Sequence, residues 1–238
     1  MKLIADLHLH TVSSGHSYST LEEYIKEAKK IGLKMIGITD HGPNMPGGPH
    51  YYHFSNMRMI PKAIEGIRVL RGIEANIINE KGEIDLAEQE IKWGGLEIVM
   101  AAMHPRTGYE NQGEEKNTEV LLKAMQNPYV NVIAHPGNPK YPVRVKEVVA
   151  AAKERKVLIE INNSSDLSRP GSHDRCVEFA REVKRAGWKV ITGTDSHISS
   201  MVGKFDGALK IFAEAGLTEE DVVNTSEKMI ERYLLCRE

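Results

Sequence analysis

Ten histidines occur in the 238 residues, and seven of them fall at or just past the ends of short apolar runs. His8, His10 and His16 follow the first run, His41 the second, His104 the fourth, His135 the fifth and His197 the seventh, while Glu74 closes the third and Asp195 the seventh. A single imidazole beside a strand is ordinarily a hydrogen-bonded structural residue. Seven imidazoles gathered with two carboxylates carry a heavy desolvation cost, which a divalent cation removes. His8 and His10 are separated by one residue, so on a regular strand they point to the same face and can clasp one ion. Asp195 and His197 stand in the same relation. Imidazole and carboxylate without thiolate suit zinc, manganese or iron.

The elements that must bring these residues together are short apolar segments alternating with helical patterns, the mark of strands feeding crossover helices onto a parallel sheet. The sequence predicts seven strands, at 3–7, 35–39, 67–73, 98–103, 130–134, 157–161 and 190–194. Most are bare aliphatic or β-branched runs, as expected when both strand faces are covered. In a closed parallel barrel all their C-terminal ends lie on one rim. Ser19 and Glu22 suggest a capping box before the stripe Leu21, Tyr24, Ile25, Ala28 and Ile31, which stops at Gly32. Further stripes occur at Val145, Val148, Val149 and Ala152, at Cys176, Phe179, Ala180 and Val183, and at Leu209, Ile211, Phe212 and Ala215. The segment 56–66 is a weaker helix because Pro61 falls inside it. Residues 218–236 read as two closing helical turns or a short helix pair, and the chain reads as a single domain spanning 1–238.

The formal net charge of −2 argues against stable nucleic-acid binding or attachment to an anionic membrane through bulk positive charge. Cys176 and Cys236 belong to no CxxC pair, so neither a disulfide framework nor a sulfur-built zinc knuckle is expected. The N-terminus reads as no signal peptide and no apolar run approaches the length of a membrane span, which together predict a cytoplasmic protein.

The segments DLHLHT, GHS, ITDHG, GIEAN, AMHP, AHPGN and TGTDSH resemble, in order, the motifs of the PHP (polymerase and histidinol phosphatase) superfamily, most closely its compact, stand-alone YcdX-like phosphatases. The resemblance implies a distorted seven-stranded (β/α) barrel, similar to a TIM barrel, with three divalent metal ions, zinc foremost, at its C-terminal rim. It implies that His8, His10, Glu74 and Asp195 hold a first ion, that Glu74 bridges to a second held also by His104 and His135, and that His16, His41 and His197 hold a third. With Glu74 counted twice, the implied set donates ten ligand bonds, against the twelve that three four-coordinate ions need. Open positions are the mark of catalytic rather than structural zinc.

The reaction this suggests is hydrolysis of a small phosphate monoester, a phosphoric ester bond attacked by a metal-bound hydroxide held near Glu74. Asp6 is placed to orient a ligand histidine from behind. Arg106 could reach a phosphate oxygen, and Asn162 and Asn163 could hydrogen-bond substrate. The Gly- and Pro-rich stretch 42–53 is a candidate lid carrying His50, Tyr51, Tyr52 and His53, whereas His173 reads as a solvent-facing residue at a helix start. The alternatives are histidinol-phosphatase or phosphodiesterase action on the same scaffold, an amidohydrolase-type reaction, and a metal-loaded binding or signalling module without turnover. A homo-oligomer such as a trimer is a further expectation drawn from the resemblance.

Overall fold

The aliphatic segments pair side by side as strands covered on both faces should, and the computed structural model describes residues 1–236. The strands are β1 (Ala5–Leu9), β2 (Met35–Ile38), β3 (Ala63–Ile64), β4 (Ile67–Asn76), β5 (Ile98–Ala102), β6 (Val132–Ile133), β7 (Leu158–Glu160) and β8 (Val190–Ile191). Seven of them run parallel in the order β1-β2-β4-β5-β6-β7-β8, and β3 folds back on β4 as an antiparallel hairpin. That hairpin occupies the segment where the sequence reads as a weak helix. Glu65 and Gly66 turn it with φ of 49° and 84°, the paired positive values of a tight hairpin turn.

Around the strands lie α1 (Leu21–Ile31), α2 (Tyr51–Asn56), α3 (Glu88–Gly94), α4 (Glu114–Ala124), α5 (Val145–Glu154), α6 (Ser165–Ser168), α7 (His173–Ala186), α8 (Asp206–Ala215) and α9 (Glu227–Ile230). The cap of α1 corrects the expected one by a residue. Thr20 and Glu23 form the capping box, because the Ser19 hydroxyl is engaged in accepting the Ser199 N–H at 2.9 Å. The apolar stripes of α1, α5, α7 and α8 bury Tyr24, Val148, Phe179 and Phe212 against one continuous core that includes Leu7, Ile36, Leu70, Ile133 and Ile191.

The result is a single α/β domain, a distorted TIM-like barrel. At their C-terminal ends β8 and β1 meet: Asp195 N–H donates to the His8 carbonyl at 2.9 Å, and His10 N–H to the Ser196 carbonyl at 3.0 Å. Gly193 permits this approach, since a Cβ there would stand 2.2 Å from the Cβ of His8. Lower down, where the two strands diverge, the buried side chain of Asn224 takes the place of a ladder. Its Nδ2 donates to the carbonyls of Ala5 and Thr192 at 3.0 and 2.8 Å, and its Oδ1 accepts the Thr192 N–H at 2.9 Å. Among the described residues no helix is long and apolar enough to cross a membrane, and Cys176 and Cys236 are both free.

Candidate metal centre

The strand ends carry the chemistry. β1 supplies His8 and, one step past its end, His10; its pairing with β2 shifts register between Asp6 and Leu9, yet the two Nε2 atoms lie only 3.1 Å apart. Glu74, inside β4, is fully buried and central: its Oε1 lies 2.6 Å from His135 Nε2 and 3.3 Å from His104 Nε2, and its Oε2 lies 3.4 Å from the Nε2 atoms of both His8 and His10. Asp195 Oδ1 stands 3.1 Å from His10 Nε2. The His16 ring sits 4.9 Å from that of His41 and 4.8 Å from that of His197, centroid to centroid. All nine expected ligands therefore converge on one rim. His135 and Asp195 reach it with φ of 34° and 53°, strained values for residues with side chains and of the kind found at functional sites.

Donor atoms within 4.8 Å of one another form the groups His8, His10 and Glu74; His10, His41 and His197; and His41, Glu74 and His104. The first group lies within one of the sets that the resemblance implies and the other two cut across them, with His10, His41 and Glu74 each shared between two groups.

The donors fit a divalent cation. His8 Nδ1–H donates to Glu160 Oε1 at 2.7 Å, His10 Nδ1–H to Ser14 Oγ at 3.2 Å, His104 Nδ1–H to Asn76 Oδ1 at 2.8 Å and His197 Nδ1–H to the Asp195 carbonyl at 3.0 Å. Each bond fixes the tautomer that leaves an Nε2 lone pair for the centre. The Nε2 atoms of His8 and His10 approach to 3.1 Å, a pair that can share one proton or hold a cation in its place. His41 is turned the other way. Its Nδ1 lies 2.8 Å from Glu74 Oε2, but both atoms are buried without a hydrogen bond.

The charges agree. Burial alone would raise Glu74, but the surrounding imidazoles, His104 and His41 foremost, outweigh it and hold the carboxyl well below its usual range. Burial likewise opposes ionisation of Asp195, and His8, His10 and Arg169 outweigh it. Burial drives His10 down to about 3, with the charge of His41 adding to it, and drives His135 down to about 4, with Arg169 adding. His8 is the exception: burial disfavours its charge, but Glu160, Glu74 and Asp195 raise it well above the usual imidazole value. Ionised carboxylates beside His10 and His135, which burial keeps neutral, offer a donor set suited to a divalent cation.

Two expectations are corrected, those for Asp6 and Asn163. Asp6 orients no ligand ring. It accepts from Thr194 N–H, Thr194 Oγ1 and Gly203 N–H at 2.9, 2.6 and 2.9 Å, clamping the two ends of the loop that carries Asp195 and His197, and burial pushes its carboxyl up to about 6. Asn163 turns away from the centre to accept the Ala208 N–H at 3.1 Å, while its neighbour Asn162 donates to Glu160 Oε2 and Asp195 Oδ2, both at 3.2 Å. Arg106 lies on the exposed loop past His104. The stretch 42–53 is fastened rather than free: Gly42 N–H donates to the Glu74 carbonyl, Asn44 N–H to Asp85 and Asn44 Nδ2 to the Thr107 carbonyl. His50 accepts the Tyr52 N–H at the start of α2, and Tyr51 and Tyr52 are exposed there.

Sequence reasoning missed the residues behind the ligands. Glu160 binds both His8 Nδ1 and the His135 N–H, the latter at 2.9 Å. Ser14 passes the His10 contact on to Asp40, whose Oδ2 lies 3.2 Å from His53 Nε2. Arg169 Nη2 donates to Asp195 Oδ2 at 3.0 Å, and its Nη1 is shielded from solvent without a partner among the described residues. The acidic end of β7 was a usable signal, because Glu160 closes a strand as Glu74 lies in one. Arg169, on a loop, gave none.

Known proteins match this architecture. The PHP domain matches residues 6–136. A "Probable phosphatase" of Thermoanaerobacter sp. is 46% identical over 98% of this chain and 95% of its own length. One from Clostridium acetobutylicum is 46% identical over 100% of this chain and 96% of its own. The crystal structure of histidinol phosphate phosphatase from Lactococcus lactis, complexed with zinc, L-histidinol and phosphate, is similar at a TM-score of 0.66 and 21% identity, covering 90% of this chain and 94% of that one. With the matched domain running through the strand ends from Asp6 to Pro136, and relatives this similar over nearly the full length, the chain belongs to the PHP domain family.

Proposed function

We propose that the protein hydrolyses a small phosphate monoester at a centre of up to three divalent ions, zinc foremost. His8, His10, Glu74 and Asp195 would hold one ion, Glu74, His104 and His135 a second, and His16, His41 and His197 a third. When bound, such ions supply Lewis acidity, lowering the pKa of water and offsetting phosphoryl charge. The protein's own residues do the rest. Glu160, Ser14 and Asn76 hold the imidazoles in their ligating tautomers, and Asn162 and Arg169 fix the Asp195 carboxylate.

The observation that carries the reading is the buried, unpartnered Nη1 of Arg169 beside Asp195. A guanidinium with one nitrogen committed to a carboxylate and another left open suits a phosphate oxygen. A monoester dianion offers more charge to this group than a diester does. The description of close relatives as phosphatases and the phosphate bound by the Lactococcus protein point the same way.

The test is turnover of p-nitrophenyl phosphate, bis-p-nitrophenyl phosphate and histidinol phosphate by metal-loaded protein, before and after chelation. Monoester turnover that chelation abolishes and zinc or manganese restores is expected. Turnover that survives complete metal removal, or a diester hydrolysed faster than every monoester tried, would overturn the proposal.

A further inference from the structure

His173, the first residue of α7, sits outside the metal centre with a carboxylate at each ring nitrogen. Nδ1 lies 3.0 Å from Asp166 Oδ2, in α6, and Nε2 lies 3.1 Å from Glu214 Oε2, in α8. A neutral imidazole has one N–H and can donate to only one of these acids, while its other nitrogen would turn a lone pair toward a carboxylate. Only the imidazolium satisfies both contacts. The groups that face the ring across the packing are Asp166 and Glu214; from its own helix, Arg181 reaches the Glu214 carbonyl through Nη2 at 3.2 Å.

The span that these contacts fasten is the one that carries Arg169. Between Asn162 and Ser172 the chain leaves the barrel rim, forms α6 and returns. It is tied to α8 near its start, where Asn163 accepts the Ala208 N–H, and again through Asp166, His173 and Glu214. Ser172 Oγ adds a weaker contact to Asp166 at 3.3 Å. Three residues past Asp166, Arg169 turns inward to Asp195.

We propose that His173 is a positioning residue, a proton-dependent clasp that pins the span 162–172 to α8 and so holds Arg169 where a phosphate group is bound. This deepens the reading of the site given above and rests on it for the role of Arg169. The hydrogen bonds to Glu214 and Asp166 raise the His173 pKa above its usual value. The sign follows: the folded value lies above the unfolded one, so the clasp is complete below the ordinary imidazole pKa and is lost as pH rises through the raised one.

The test uses the full metal-loaded chain. Amide hydrogen exchange across 163–171, corrected for intrinsic rates, is followed from acid to alkaline pH beside the inhibition constant of inorganic phosphate. In the wild type both are expected to weaken by about fivefold with one shared midpoint, the scale of a lost exposed charge pair. His173→Phe should show the loosened behaviour at every pH, and His173→Arg, which keeps its charge and can reach both acids, should remove the transition and retain tight binding. Exchange that is identical in wild type and His173→Phe overturns the clasp. An exchange transition with no parallel change in phosphate inhibition overturns its coupling to Arg169. If the wild type neither binds phosphate nor turns over any phosphomonoester, the reading of the site fails separately, and the exchange data still decide the clasp.

Discussion

Between β4 and β6 the metal centre rests on paired strands, whereas beyond the short β7–β8 ladder, round to β1, it rests on side chains and loops. On the paired side, Glu74 and the histidines past β5 and β6 take their places from ladders in register, and Asn76, in the same strand as Glu74, steadies His104. On the other side the ladder gives way. Asn224 bridges the lower gap, Gly193 lets the upper ends touch, and Asp6 clamps the loop beyond. The paired side offers one carboxylate ringed by imidazoles. The seam adds Glu160, Asp195, Asn162 and Arg169, a mixture of both charges. Rigid ladders suit gripping ions, and a seam of mixed charge suits gripping the anion that changes during a reaction.

Glu74→Gln strikes the paired side hardest. It removes the charge shared by five imidazoles that lie within salt-bridge distance of Oε1 or Oε2. Turnover should fall on the order of a thousandfold, with metal lost from elemental analysis. Full metal content with surviving turnover would refute the bridging role and the comparison with it. Arg169→Lys strikes the seam. The expected result is about a hundredfold lower kcat/KM for a monoester, little change for a diester, and unaltered metal content. Metal loss in this variant would show that the seam grips ions as well.

This contrast also governs what the sequence made legible. Seven parallel strands and the nine convergent donors follow from apolar runs and strand-end residues, because ladder geometry converts sequence spacing directly into position. The hairpin at β3 and the one-residue shift of the α1 cap were hidden by local competition, the latter between Ser19 and Thr20 for a tertiary partner. At the seam, adjacent asparagines do opposite things, Asn162 facing the centre and Asn163 the helix behind it, and no local pattern distinguishes them. Arg169 depends on how an irregular span returns to the rim, which spacing does not encode.

Glu160 is the residue that touches both sides, holding the His8 ring by Oε1 and the His135 N–H by Oε2. Glu160→Gln keeps the shape but weakens both bonds, since an amide oxygen accepts less strongly and its nitrogen cannot accept. Zinc affinity, measured by competition with a chromophoric chelator, should fall about 10- to 100-fold. A change confined to one ion would mean that the two sides are set independently; a loss of both would show that Glu160 couples them.

Asn163→Ala should have the smallest effect, and it checks where the seam ends. Phe205, at the N-cap of α8, provides no side-chain hydrogen bond, and the Ala208 N–H is satisfied instead by Asn163 Oδ1 from across the chain. Loss of that acceptor leaves a buried helix-start donor without its partner, a cost of about 1 kcal/mol. For a chain of this size that lowers the melting temperature by about 2–4 °C. Turnover of a monoester should fall less than twofold, because Asp166, His173 and Glu214 still tie the span to α8 and Asn162 alone of the pair reaches Asp195. A fall in kcat/KM without a fall in melting temperature would place Asn163 at the substrate after all, and would extend the seam one residue beyond where its hydrogen bonds now draw it.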